Sequence, residues 1–106
     1  MNKLLIAPDV LKLKLDKKEK LILLDVRTLK EHDTAKISNS VLIPLQELEN
    51  RLNELDIAKE IIVYCHHGTR SLIAAKFLQS KGFNAKSLDH GIETWSNLID
   101  PLVPHY

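Results

Sequence analysis

The only cysteine of the chain, Cys65, closes the apolar run Ile61-Ile62-Val63-Tyr64 and is followed by His66-His67-Gly68-Thr69-Arg70-Ser71. A thiol at a strand-to-helix junction faces the positive end of a helix and the free N–H groups of a tight loop, and both favour thiolate over thiol. Gly68 lets the backbone curl so that successive N–H groups converge on one point. Such a cradle stabilises a thiolate at its centre, and equally a negative terminal sulfur attached to it. A free cysteine with a pKa near ~8.5 is about 3% ionised at neutral pH, whereas one lowered to ~6.5 is roughly three-quarters ionised. Arg70 adds a fixed positive charge suited to an incoming anion.

Taken alone, a cysteine after an apolar strand packs as a small hydrophobe. The loop with Gly68, Arg70 and a helix start turns the reading toward a nucleophile. His66 and His67 stay open between solvent-facing and pocket-lining residues, and adjacent histidines without two further ligands do not make a zinc site, so no metal is expected. Asp25 and Arg27 read as a structural pair fixing a strand edge, and Trp95 beside Ile92 reads as core.

These groups need elements to hold them. Pro8 suits the first position of a helix running through Val10, Leu11 and Leu13, which the Asp16 to Lys20 charge cluster ends. Leu21-Ile22-Leu23-Leu24 and Ile61-Ile62-Val63-Tyr64 are unbroken apolar runs, as expected of parallel strands covered on both faces, and Val41-Leu42-Ile43 is a shorter run of that kind. Pro44 opens a helix with Leu45, Leu48, Leu52 and Leu55 on one stripe and Glu47, Glu49, Arg51 and Glu54 outside. Another starts at Ser71, turns Leu72, Ala74, Ala75, Phe77 and Leu78 inward, and ends at Lys81 with Gly82 placed for a left-handed cap. Ala85 to Leu88 is a weaker strand, and Ile92, Trp95 and Leu98 or Ile99 mark a last helix ended by Pro101. The alternation predicts an α/β fold, an open, mostly parallel sheet flanked by helices on both faces, in which Asp25-Val26-Arg27 and Cys65 share the edge at the strands' carboxyl ends.

A length of 106 residues predicts a single domain over 1–106. With 44% hydrophobic and 27% charged residues, neither a disordered nor a membrane class is indicated, and a net charge of +1 gives no nucleic-acid surface. The apolar run near Met1-Asn2-Lys3-Leu4-Leu5-Ile6 is too short for a signal-peptide core, and one cysteine cannot form an intrachain disulfide. A cytoplasmic location is expected.

Three segments together resemble the signatures of the rhodanese-like domains, which transfer sulfane sulfur. Leu23-Leu24-Asp25-Val26-Arg27 followed by Glu31 resembles the first, a strand ending in Asp-x-Arg. Cys65-His66-His67-Gly68-Thr69-Arg70-Ser71 is similar to the Cys-x-x-Gly-x-Arg-Ser active loop, and Leu88, Gly91 and Trp95 resemble the closing Leu-x-Gly-Gly…Trp signature. The resemblance spans about residues 7 to 100. Two departures are visible: Ala35-Lys36-Ile37-Ser38-Asn39-Ser40 stands where the family has Gly-His-Ile-Pro-Gly-Ala, and His90 replaces the first glycine of the closing pair. His90 is left either near the pocket or facing solvent.

The resemblance implies that Cys65 is the nucleophile and sulfur carrier. Thiosulfate would be a donor, and cyanide, a small thiol or a protein thiol the acceptor. Backbone N–H groups from His66 to Ser71, hence His66, His67, Gly68, Thr69, Arg70 and Ser71, would bind the substrate. Arg70 would attract the donor, and His66 or His67 would shape the pocket mouth. No metal or organic cofactor, nucleic acid or membrane is implied, and the oligomeric state and the role of the tail stay open. Cysteine phosphatases share the fold but resemble Cys-x5-Arg; the four residues here make a tighter cradle, suited to sulfur rather than phosphate, and no acid is placed for the leaving group. A binding or sensing module with little turnover is the other reading, against which the intact Cys65 and Arg70 weigh.

Overall fold

The computed structural model of the protein describes residues 4–106, so Met1, Asn2 and Lys3 of the amino-terminal run lie outside it. Five strands form one sheet: β1 (Leu5–Ile6), β2 (Leu21–Asp25), β3 (Val41–Leu42), β4 (Glu60–Tyr64) and β5 (Ala85–Leu88). They lie in the order β1-β5-β4-β2-β3, and every pair is parallel. The expected α/β architecture is therefore present.

Inner strands β2 and β4 pair along their whole length, from Leu21 opposite Glu60 to Asp25 opposite Tyr64. Side chains of β4 alternate between two cores, as a strand period of two requires. Ile61 and Val63 join Leu24, Ile43, Leu48, Leu55, Ala74, Ala75 and Leu78 on one face. Ile62 and Tyr64 join Leu11, Leu23, Ala35, Ile37, Ile92 and Trp95 on the other. All four of these β4 residues are fully buried. Burying each aliphatic one stabilises the fold by up to roughly 1.5–3 kcal/mol, which is why the run contains no polar residue. Extending the alternation one step puts Cys65 on the face of Ile61 and Val63, toward the helix that follows it.

Helices α1 (Pro8–Asp16) and α4 (Gly91–Leu98) lie on the second face, and α3 (Thr69–Ser80) lies on the first. Of the three apolar residues expected in α1, only Leu11 is buried; Val10 and Leu13 are about half exposed. In α4 the choice at the carboxyl end falls on Ile99, which packs on the core, because Leu98 is exposed. The α3 helix begins at Thr69, two residues before Ser71, because Gly68 is its N-cap in the left-handed region, φ 109°. Gly82, φ 91°, occupies the left-handed position after that helix.

The segment after Pro44 departs from expectation. It is a 3-10 segment, Leu45–Glu54, broken at Arg51, not one α-helix. Backbone bonds of 3-10 type mark its two ends, Glu47 N to Pro44 O and Leu55 N to Leu52 O, and the leucine steps of three fit such turns as well as they fit an α-helix. Arg51 bridges the break by bonding Glu47 on one side and Glu54 on the other, at 2.7 to 3.1 Å.

Two elements escape the periodicity. Strand β1 is two residues long, too short to show a pattern, and is held by bonds from Ser87 N to Leu4 O and from Asp89 N to Ile6 O. Helix α2 (Leu29–Thr34) buries no residue and so has no apolar stripe. Its readable signal is a capping box, in which the Thr28 hydroxyl accepts from the Glu31 amide and the Glu31 carboxylate accepts from the Thr28 amide.

Candidate active site

Cys65 follows β4 and is almost fully buried, at 1% exposure. The Gly68 amide donates to Sγ at 3.1 Å and the Ser71 amide at 3.3 Å. The first comes from the N-cap of α3 and the second from its first turn, so the sulfur sits where unpaired helix amides point. Cys65 Sγ also lies 3.4 Å from Ser71 Oγ. That hydroxyl donates to Gly68 O at 3.1 Å and shares a 2.7 Å bond with the buried Ser87 hydroxyl on β5.

The closing segment holds this loop from behind. The Ile92 amide donates to Cys65 O at 2.9 Å and the Glu93 amide to His66 O at 3.2 Å, so the first turn of α4 takes up two loop carbonyls. A side chain at Gly91, φ 66°, would run into Cys65 O and His66 O. His90 stands in the left-handed region at φ 58°, which accounts for the glycine that the rhodanese-like signature has there. Its imidazole is 74% exposed and meets the loop only as one wall of a shallow pocket of about 270 Å³ with His67, Gly68, Thr69 and Leu72. The other departure has a similar account. Ala35 has extended backbone, which any residue adopts, and Asn39 takes a left-handed φ of 66° that asparagine tolerates.

Arg70 is not a bare cation. Its guanidinium makes a two-pronged pair with Glu31, at 2.7 and 3.0 Å, across from α3 to α2. Glu31 also accepts from the Thr28 amide and from the Tyr106 hydroxyl at 2.8 Å. The Arg70 bonds, reinforced by Tyr106 and Thr28 against the opposing effect of burial, hold the Glu31 carboxyl well below the usual carboxylate range. An incoming anion thus meets a paired guanidinium, which weakens the attraction expected of Arg70.

Asp25 and Arg27 form the buried pair expected of them. Arg27 Nε and Nη2 donate to the two carboxylate oxygens at 2.9 and 2.8 Å, and Nη2 also reaches Ala35 O. Burial opposes the Arg27 charge, but the bonds to Asp25 and Tyr106 outweigh it and leave its pKa raised. His32 Nδ1 lies 2.8 Å from Asp25 Oδ2. The pair ties the end of β2 to the start of the segment carrying Ile37.

Three rings line the loop's outer side. The His66 ring stacks on His67 and on Tyr106, each at a centroid separation of 4.0 Å and within 15° of parallel. His67 is exposed and lines the shallow pocket with Gly68, Thr69 and His90, whereas His66 is half-buried between the two rings it stacks on. His66, His67 and Glu93 could be read as a metal-ligating group. Parallel rings, however, send their lone pairs side by side and not onto one ion, so the group is not a preformed site. Burial pushes the Tyr106 phenol up to about 12, and it is a neutral donor at pH 7.

Cys65, Gly68 and Ser71 therefore converge, Arg70 is turned to Glu31, and Thr69 is exposed. Sequence reasoning did not assign Ser87, Glu31 or Tyr106 to the site. Glu31 was visible as part of a signature and as a capping-box residue; a serine in a weak strand and a tyrosine in a short tail gave no signal.

The Rhodanese-like domain family matches residues 7–98. Among curated relatives, YrkF of Bacillus subtilis, named provisionally as a sulfur carrier protein, is 44% identical over 78 residues, covering 74% of this chain and 42% of that protein. The thiosulfate sulfurtransferase GlpE of Coxiella burnetii is 32% identical over 80 residues, covering 74% of this chain and 75% of that one. The chain spans only 19% to 42% of the length of the first four curated relatives it matches. A rhodanese-related protein from Thermoplasma volcanium superposes with a TM-score of 0.80 at 32% identity over 93% of each chain.

Proposed function

The chain belongs to the rhodanese-like domain family, a sulfurtransferase family, and from that premise we propose that it moves sulfane sulfur through a persulfide on Cys65. The observation that carries the reading is the pair of amides, Gly68 and Ser71, aimed at one buried sulfur by a loop with four residues between Cys65 and Arg70. Fixed N–H donors stabilise negative charge without reorganising, and they serve a thiolate and a terminal persulfide sulfur alike.

In the first half-reaction the Cys65 thiolate attacks the outer sulfur of thiosulfate. The new bond is Cys65 S–S, the bond broken is the S–S bond of thiosulfate, and sulfite leaves with the electron pair. In the second, cyanide attacks the outer persulfide sulfur, thiocyanate departs and the Cys65 thiolate returns. A thiol acceptor would take the sulfur in the same way and leave as a persulfide. His66, His67, Gly68, Thr69, Arg70 and Ser71 frame the substrate, with Gly68 and Ser71 supplying the direct contacts to sulfur. We place this activity in the cytoplasm, on the ground that the one cysteine works as a free thiol; among the described residues no helix is long and apolar enough to cross a membrane.

One observation favours a second reading within the same chemistry. Because Glu31 occupies both prongs of Arg70, a dianionic donor gains little there, and a persulfide carried by a small thiol or a protein becomes the better donor. In that case thiosulfate turnover is slight.

Incubation with thiosulfate followed by intact-mass measurement tests the mechanism. Wild type is expected to gain one sulfur atom and lose it on adding cyanide, and Cys65→Ser is expected to gain none. An unmodified wild type with both thiosulfate and glutathione persulfide, or an adduct that survives Cys65→Ser, would end the reading.

A further inference from the structure

The buried Cys65 needs a route for its substrates, and the arm formed by residues 103–106 ends on its loop, with the Tyr106 ring stacked on His66. Val103 is buried and its carbonyl accepts from the Ser96 hydroxyl at 2.5 Å, which anchors the arm on α4. Ser96 Oγ also meets His105 Nε2 at 3.2 Å, and His105 Nδ1 faces Glu93 at 3.4 Å. The arm is thus fastened at two points before it reaches Tyr106.

Tyr106 then spans the loop. Its ring lies on His66, the first residue after the sulfur, and its hydroxyl donates to Glu31 Oε2, whose carboxylate grips Arg70 at the loop's far side. The same hydroxyl accepts from Arg27 Nη1 at 2.6 Å. One side chain therefore touches the near side of the mouth and, through a single carboxylate, the far side. Yet it is not deeply packed: Tyr106 is 39% exposed, and its side-chain contacts among the described residues are one ring stack, the Arg27 guanidinium 5.3 Å from the ring centroid and two hydrogen bonds.

We propose that Tyr106 is a specificity-determining residue that sets the size of the nucleophile or electrophile able to reach Cys65. Small reactants pass beside the ring, and bulky ones wait for the arm to lift. The proposal rests on the reading of Cys65 as the reactive sulfur, but its test does not need sulfur transfer.

The test is the rate of Cys65 modification on the full chain by iodoacetamide, which is small, and by fluorescein-5-maleimide, which is bulky. Wild type, Tyr106→Phe and Tyr106→Ala are compared, with melting curves to show that each is folded. Tyr106→Ala is expected to raise the maleimide rate at least about tenfold, the population change that follows when a ring stack and two hydrogen bonds no longer hold the arm. Its iodoacetamide rate should change by less than about twofold, because a small reagent never needed the arm to move. Tyr106→Phe keeps the stack and loses both hydroxyl bonds, so its maleimide rate should fall between the other two. Equal acceleration of both reagents would mean general loosening and would overturn the proposal, as would maleimide rates unchanged in both variants. If the rates diverge as expected but no sulfur adduct ever forms, the sulfurtransferase reading fails alone; if sulfur loads normally and the rates do not diverge, only the role of Tyr106 fails.

Discussion

Ser71 Oγ has three neighbours: it accepts from the Cys65 thiol, donates to Gly68 O and shares a bond with Ser87 Oγ. A thiolate has no hydrogen to give, so on ionisation of Cys65 this bond must reverse, with Ser71 donating to sulfur and the Ser87 hydroxyl free to donate to Ser71. This predicts a separation of two effects. Ser71→Ala should slow persulfide formation about tenfold, the effect of one hydrogen bond to a charged group, and should lower stability because Ser87 is left buried without a partner. Adding Ser87→Ala should restore most of the stability and none of the rate, since removing both partners of a buried pair is nearly neutral. Single-turnover mass measurements and urea unfolding read the two quantities; a double variant that recovered its rate would show that Ser71 acts only as a packing residue.

The turn between β5 and α4 makes opposite demands on neighbouring residues. His90 takes a left-handed conformation at some cost, about 1 kcal/mol for a residue with a Cβ, and its side chain makes no buried contact in return. His90→Gly should therefore stabilise the protein by about 0.5–1 kcal/mol in urea unfolding, with sulfur loading unchanged. Gly91 allows no such latitude, because a methyl group there meets two backbone carbonyls of the cysteine loop. Gly91→Ala should cost at least about 2 kcal/mol and slow sulfur loading as well, because the displaced carbonyls belong to Cys65 and His66. An unchanged melting temperature in Gly91→Ala would contradict this account of the turn.

Across the whole molecule, Glu31 joins parts far apart in the chain: α2 to Arg70 on α3, and both to Tyr106. Its carboxyl is held below its unfolded value, so its contribution to stability is present above about pH 4.3 and is lost as pH falls through the lower folded value. Glu31→Gln should consequently be less stable than wild type above about pH 5, and the two unfolding curves should converge as pH drops below about 4. A gap that stays constant down to pH 2 would show that the pair contributes nothing through charge. The same variant frees Arg70, so it should load sulfur from thiosulfate at a lower concentration than wild type, a readout that a purely structural Glu31 would not move.

How much of this was legible depends on how local the cause is. The inner strands could be read because burial on both faces demands unbroken apolar runs, and α3 because its apolar residues keep a helical spacing up to Gly82, while its start was placed two residues late because Gly68 reads as a loop residue and not as a cap. The cysteine cradle was legible because a strand end, a glycine and a helix start fall within seven consecutive residues, and the site edge because parallel strands all end on one side. The leucine steps of three, four and three after Pro44 fit a 3-10 segment and an α-helical stripe alike, and only the backbone bonds at its ends and the non-helical backbone of Arg51 separate the two. Helix α2 was silent because it buries nothing. What only tertiary structure decided are the contacts of high sequence separation: Glu31 against Arg70, Ser87 beneath Ser71, and Tyr106 over His66. A sequence specifies a charge or a ring at each of those positions, but whether a guanidinium is free or paired, and whether a mouth is open or covered, depends on which distant residue the fold brings within 3 to 4 Å.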